Sequence, residues 1–188
     1  MNDFDTFQII PSIRRLGDLA DALDSDRRII LLTDADIANL PALVHKVHQA
    51  GKKAWINMEL LGGFGRDQAG IKLLKNYFKV DGVMSTDSAK LGIAKRVGLT
   101  TIQRFLIGDS RAYDTSLRLL RSVKTDAAEI LPAAVAQEIL PDLRKVTDMP
   151  LLAGGFIHST KEIDALRKAG FEGLTISKKK YWSHRSCL

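Results

Sequence analysis

Short apolar runs and longer amphipathic ones alternate along this chain with little interruption. The short runs read as strands at residues 8–13, 29–33, 53–58, 82–85, 100–104, 127–131, 151–153 and 173–177. Each is brief and mostly apolar, as expected of strands covered on both faces. The segments between them read as helices. Leu16, Leu19, Ala20 and Leu23 fall on one helical face, as do Leu40, Leu43, Val44 and Val47, and later Val135, Ile139, Leu143 and Val146. Gly51, Gly98 and Gly170 stand where helix C-termini end. Asp34 or Asp36, Asp67, Asp87, Ser110 and Ser159 or Thr160 stand where N-caps belong.

Eight strands alternating with helices predict an α/β fold, a compact TIM-like (β/α)₈ barrel forming one domain over residues 1–188. An open doubly wound sheet is the rival arrangement. The chain is short for a barrel, since the typical one has about 250 residues, so its loops must be brief.

Composition narrows the picture further. Hydrophobic residues make up 45% of the 188 and charged residues 27%, which suits one domain with a sizeable core. A single cysteine, Cys187, leaves no internal disulfide and no cysteine metal site. The acidic N-terminus is unlike a signal peptide, and no apolar run approaches the roughly 20 residues of a membrane span. A cytoplasmic protein with no membrane association is expected. The net charge of +6 is compatible with a phosphorylated ligand or RNA, and equally with plain solubility.

In a parallel barrel the functional rim lies at the carboxyl ends of the strands. Two cations, Arg14 and Arg104, fall there, with two carboxylates, Glu59 and Glu129, and the hydroxyl of Ser85. The seventh run ends in Gly154-Gly155 and the eighth in Ser177, where TIM-type barrels grip phosphate. Glycine lets an anion approach the backbone amides, and a helix N-terminus beyond adds partial positive charge. Arginine suits phosphate through its planar fork, and carboxylates accept from hydroxyls. A small polyol phosphate matches this set. The bland alternatives are a tight turn at the glycines and rim salt bridges between the arginines and the glutamates. Gly62-Gly63-Phe64-Gly65 reads as a flexible loop that could serve as a lid.

His45, His48, His158 and His184 make no set at metal spacing, and no activated nucleophile can be assembled. No cofactor is expected. Glu59 and Glu129 keep an acid/base enzyme open as the alternative, a phosphosugar or polyol-phosphate isomerase or lyase. Near the C-terminus Lys178, Lys179, Lys180 and Trp182 mix cations with aromatics in a way that suits RNA. The competing reading buries Tyr181 and Trp182 against the barrel.

Several stretches are distinctive when taken together: Ile10-Pro11-Ser12-Ile13-Arg14, Gly82-Val83-Met84-Ser85-Thr86 and Thr101-Ile102-Gln103-Arg104-Phe105-Leu106. Glu129-Ile130-Leu131-Pro132, Ala153-Gly154-Gly155-Phe156-Ile157 and Tyr181-Trp182 continue the set. On these residues the chain resembles the glycerol uptake operon antiterminator regulatory proteins over nearly the whole length. The resemblance implies a small barrel that binds glycerol 3-phosphate as effector. It implies action on the leader mRNA of glycerol-catabolism genes, allowing transcription past a terminator, and no catalytic residue. Arg14, Ser85, Arg104, Glu129, Gly154, Gly155 and Ser177 fall on motif positions of that family. The chain departs from its pattern at Glu59, Asp87, Ala133 and Lys178, and an acidic Asp87 disfavours RNA contact there. A homo-oligomer is compatible with all of this.

Overall fold

The computed structural model describes residues 3–184. Eight parallel strands close into a barrel in sequence order, β1 through β8, each paired with the next and β8 with β1. The strands are β1 (Gln8–Ile13), β2 (Ile29–Leu32), β3 (Lys53–Asn57), β4 (Gly82–Ser85), β5 (Thr100–Leu106), β6 (Ala127–Leu131), β7 (Leu151–Gly154) and β8 (Gly173–Ile176). The connecting helices are α1 (Leu19–Asp24), α2 (Leu40–Gln49), α3 (Gln68–Asn76), α4 (Ser88–Arg96), α5 (Ser110–Leu120), α6 (Ala133–Arg144) and α7 (Thr160–Ala169). The open sheet is excluded. No helix among the described residues is long and apolar enough to cross a membrane.

Successive side chains of a strand face opposite sides of the sheet, and the buried residues divide accordingly. Ile10, Ile29, Leu31, Trp55, Met84, Ile102, Ala127 and Leu152 fill the barrel interior, with Phe4 joining them. Their strand neighbours, such as Ile30, Ile56, Val83, Ile130 and Ala153, pack outward under the helices. The rings of Trp55 and Phe4 stand 6.0 Å apart. Gly82 makes room for Trp55: a β-carbon there would lie 2.5 Å from the indole Nε1. Overpacking a filled core costs about 1–3 kcal/mol. Gly82→Ala should therefore destabilise the fold by that amount in urea titrations followed by tryptophan fluorescence, and an unchanged midpoint would contradict this packing.

Helix starts follow side-chain chemistry. Asp67, Asp87 and Ser159 accept from the backbone amides of Gly70, Ala89 and Glu162. The α5 cap is Asp109, whose carboxylate accepts from Ala112 N at 2.8 Å, and not the expected Ser110. Near α2, Asp36 accepts from the amides of Ala38 and Asn39 just ahead of the helix. Gly170 ends α7 at φ +105°, a conformation that favours glycine.

Two apolar stripes differ from expectation. The stripe of α2 is buried as predicted, at Leu40, Leu43, Val44 and Val47. In α6 the fully buried residues are Ala133, Ala136, Leu140 and Leu143, while Val135, Ile139 and Val146 only flank the core. Small alanines allow the closest approach to the sheet, so they, and not the larger valine and isoleucine, take the innermost line. The first helix is broken into a 3₁₀ turn and the short α1, which leaves Leu16 38% exposed and buries Leu19 and Ala22.

Candidate functional site

Above the interior plug, at the carboxyl ends of the strands, lies a cavity of about 600 Å³. Strand alternation explains what lines it. Two residues beyond the interior positions Ile10, Leu31, Trp55, Ile102 and Ala127 stand Ser12, Thr33, Asn57, Arg104 and Glu129, and all five face the cavity. Arg14 extends the same row from β1. Thr175, Ser177 and Lys178 enter from β8, and Gly155, Phe156, Ile157 and His158 from the loop after β7.

The floor of the site is an ion pair. Glu129 is 1% exposed, and its Oε2 accepts from Arg104 Nε at 2.6 Å. Its Oε1 accepts from the Thr175 hydroxyl at 2.5 Å. A β-carbon on Gly154 would stand 2.7 Å from Glu129 Oε1 and 2.8 Å from Thr175 Oγ1. Gly154 is therefore glycine to admit this buried pair. It is a buried residue of β7 outside the cavity lining, which corrects its expected place in the phosphate grip.

Gly155 does line the cavity. At φ +78° it holds the left-handed conformation glycine adopts freely, and Phe156, 78% exposed, follows at φ +59°. The main-chain N–H groups of Gly155 and Ser177 have no protein acceptor among the described residues. Nor does the exposed guanidinium of Arg14 have an acidic partner among them. Arg104 uses its Nε on Glu129 and presents the rest of its planar fork to the same cavity. Beside them Lys178 Nζ lies 2.5 Å from His158 Nδ1.

The helix that follows starts beside this end. Ser159 caps α7, and Glu162 reaches back to accept from His158 N at 2.8 Å and from Ser159 Oγ at 3.0 Å. The His158 amide bond, assisted by Ser159 and by the charge of Lys178, holds the Glu162 carboxyl below its ordinary pKa. Free amides and cations gathered at one end of a cavity form an anion site. Hydroxyls and one amide at Ser12, Thr33, Thr175 and Asn57 give the remaining wall hydrogen-bonding capacity for neutral polar groups.

Other expected site residues are elsewhere. Ser85 follows the interior residue Met84 and so faces away from the cavity. Its hydroxyl donates to Glu59 Oε1 at 2.5 Å and accepts from Asp87 N at 3.0 Å. Glu59 also accepts from Thr86 N at 3.3 Å. Both residues tie the ends of β3 and β4 to the start of α4, and neither lines the cavity. The glycine-rich loop is anchored, with Gly62 bridged to Asp36 and exchanging backbone bonds with Ala35 and Ile37.

The C-terminal segment also differs from an RNA surface. Trp182 is 2% exposed and donates from Nε1 to Ile176 O at 2.9 Å, so its ring cannot stack on a base. Tyr181 is buried and donates to His158 O. Lys178 faces the cavity, and Lys179 pairs with Asp21 at 3.1 Å and Asp18 at 3.6 Å. Lys180 remains exposed, 4.9 Å from the Tyr181 ring centre. Two adjacent large aromatics gain more from closing the outer core than from water. Cys187 and Arg185 lie outside the described residues.

Sequence reasoning gave no role to Ser12, Thr33, Asn57, Thr175 or His158. For Ser12, Thr33 and Asn57 the signal was present in the two-residue spacing from interior apolar positions; His158, in the loop after β7, carried no such signal.

The chain is similar to known proteins over most of its length. A family model described as glycerol-3-phosphate responsive antiterminator matches residues 9–182. A crystal structure of a glycerol uptake operon antiterminator regulatory protein from Listeria monocytogenes superposes with a TM-score of 0.88 at 28% identity, covering 95% of this chain and 96% of that one. An antiterminator-related protein from Thermotoga maritima gives 0.82 at 22% identity, covering 95% and 99%, and speaks for the fold alone. The uncharacterized protein YgcP of Escherichia coli K12 is 27% identical over 175 residues, 93% of this chain and 91% of that protein.

Proposed function

The chain belongs to the glycerol-3-phosphate responsive antiterminator family, and from that premise we propose that glycerol 3-phosphate occupies the rim cavity as the effector. One observation carries the reading. Two cations without acidic partners among the described residues, Arg14 and Lys178, share one cavity with the free amides of Gly155 and Ser177. The phosphate sits on those amides and cations. The glycerol hydroxyls face Asn57, Thr33 and Thr175, and Glu129 holds the Arg104 fork toward the ligand.

The bound protein acts on the leader mRNA of glycerol-catabolism genes and lets transcription pass a terminator. A ligand shifts a protein only as far as it binds one state better than another. RNA affinity must therefore rise with glycerol 3-phosphate, and the effector's affinity must rise equally with RNA.

Calorimetry with glycerol 3-phosphate, against glycerol and inorganic phosphate, tests the ligand. Saturable heat with glycerol 3-phosphate alone is expected, and its absence would sink the assignment. A leader-RNA gel shift with and without effector tests the second step. RNA affinity unaffected by the effector would refute it.

A further inference from the structure

The net charge of +6 is unevenly spread. Residues 66–125 hold twelve lysines and arginines against five aspartates, whereas the rest of the chain holds sixteen cations against seventeen carboxylates. The excess thus resides wholly in the third of the chain that forms α3, α4 and α5. Three of its aspartates, Asp67, Asp87 and Asp109, cap the N-termini of those helices, and Asp81 is bonded to His48 and to Ala54 N. Three of the five carboxylates thereby lie at the rim end of the helices, and cations outnumber carboxylates at the other end, where Asp81 stands.

Between α4 and the segment after α5 runs a groove of about 540 Å³, with Gly92, Lys95, Arg96, Ser122, Lys124 and Thr125 in its walls. Lys95 is paired with Asp126 at 3.0 Å. Arg96 and Lys124 are exposed and have no acidic partner among the described residues. Gly92 opens the α4 wall, and the Arg96 guanidinium lies along it, its Nη1 3.7 Å from where a β-carbon on Gly92 would be. Cations in a last helical turn complement the helix dipole. That does not account for Lys124, which follows α5 in the loop.

We propose that this α4–α5 groove takes the sugar–phosphate backbone of RNA. The proposal rests on the reading that the protein acts on a leader RNA, and it assigns that RNA a surface. Charge complementarity selects the occupant, because Arg96 and Lys124 offer donors to phosphates and Ser122 and Thr125 stand in the same groove as small polar groups. The other basic segment, Lys178 to Lys180, is committed largely to the cavity and to α1. None of the groove residues lines the rim cavity, so effector and RNA can be bound together.

The test is fluorescence anisotropy of a labelled leader transcript at saturating glycerol 3-phosphate over a salt series. The Arg96→Glu/Lys124→Glu double variant alters exposed side chains only. It should bind at least about tenfold more weakly, with the salt slope reduced by about 2 for two lost phosphate contacts. Lys46→Glu/Lys168→Glu, also exposed, carries the same change in net charge on α2 and α7 and should stay within about threefold of wild type. If the two double variants bind alike, the groove assignment is overturned while leader recognition stands. A wild-type chain that binds no leader RNA overturns both.

Discussion

Glu129→Ala should lower the unfolding free energy by about 2–4 kcal/mol. Breaking a buried ion pair by removing one partner typically costs about 3–5 kcal/mol, because the other charge is left without compensation. Here the estimate is reduced, since the Arg104 side chain is 20% exposed and water can reach it. The Thr175 hydroxyl also loses its acceptor. For a chain of this size each kcal/mol is about 2–4 °C in Tm, so a fall of several degrees should appear in calorimetric melting. Adding Arg104→Met to Glu129→Ala should restore part of the loss, as apolar replacement of both partners often does. Gly154→Ala should be costly in the wild-type background and cheaper beside Glu129→Ala, because its β-carbon collides chiefly with the missing carboxylate. A Glu129→Ala protein within 1 kcal/mol of wild type (about the net worth of an ordinary hydrogen bond) would show that the pair is not a structural anchor.

The second large effect concerns the ligand. Gly155→Asp should weaken glycerol 3-phosphate binding by at least about 100-fold, roughly 2.7 kcal/mol. The substitution places a carboxylate at the anion end of the cavity, where it repels the phosphate. The fold should survive. Aspartate tolerates the left-handed region better than most residues, and the added β-carbon meets Leu131 and Pro132 only at 3.7 and 3.8 Å. Gly155→Asn supplies the same shape without the charge and should lose less than about tenfold. Calorimetric titration of the three proteins decides the matter. An Asp variant that binds within threefold of wild type would remove the phosphate from this loop.

The barrel was legible because its period is simple. Eight runs of β-branched and apolar residues separated by helical stretches leave few folds open, and their positions matched the strands to within a residue or two. Arg104 and Glu129 could be found at the rim because they lie within strands, where alternation from Ile102 and Ala127 carries them inward. Ser85 obeys the same rule, and its outward face follows from Met84 beside it. Counting strand ends without counting parity placed it wrongly. Gly154 illustrates a different limit. A glycine pair at a strand end suggests room for a ligand, but the room at Gly154 is taken by Glu129 and Thr175, which are 25 and 21 positions away in sequence. Only three-dimensional packing joins them. Trp182 was ambiguous for a similar reason, since its burial depends on Ile176 O being within reach of its indole. The groove beside α4 left no motif at all. Its cations come from a helix end and a loop, and only their unequal distribution along the chain hinted at it.

Ring closure sets how this molecule can respond to anything bound at its rim. Every strand has a hydrogen-bonded neighbour on both sides, so none can slide without breaking two ladders at once, and no free edge invites a partner to add a strand. The cylinder therefore acts as a fixed mount. Change is confined to what is bolted onto it: the loops at its mouth and the helix starts they lead into. Among these, the Glu59–Ser85–Asp87 chain of hydrogen bonds runs from the mouth to the first turn of α4, the helix whose far end carries Lys95 and Arg96.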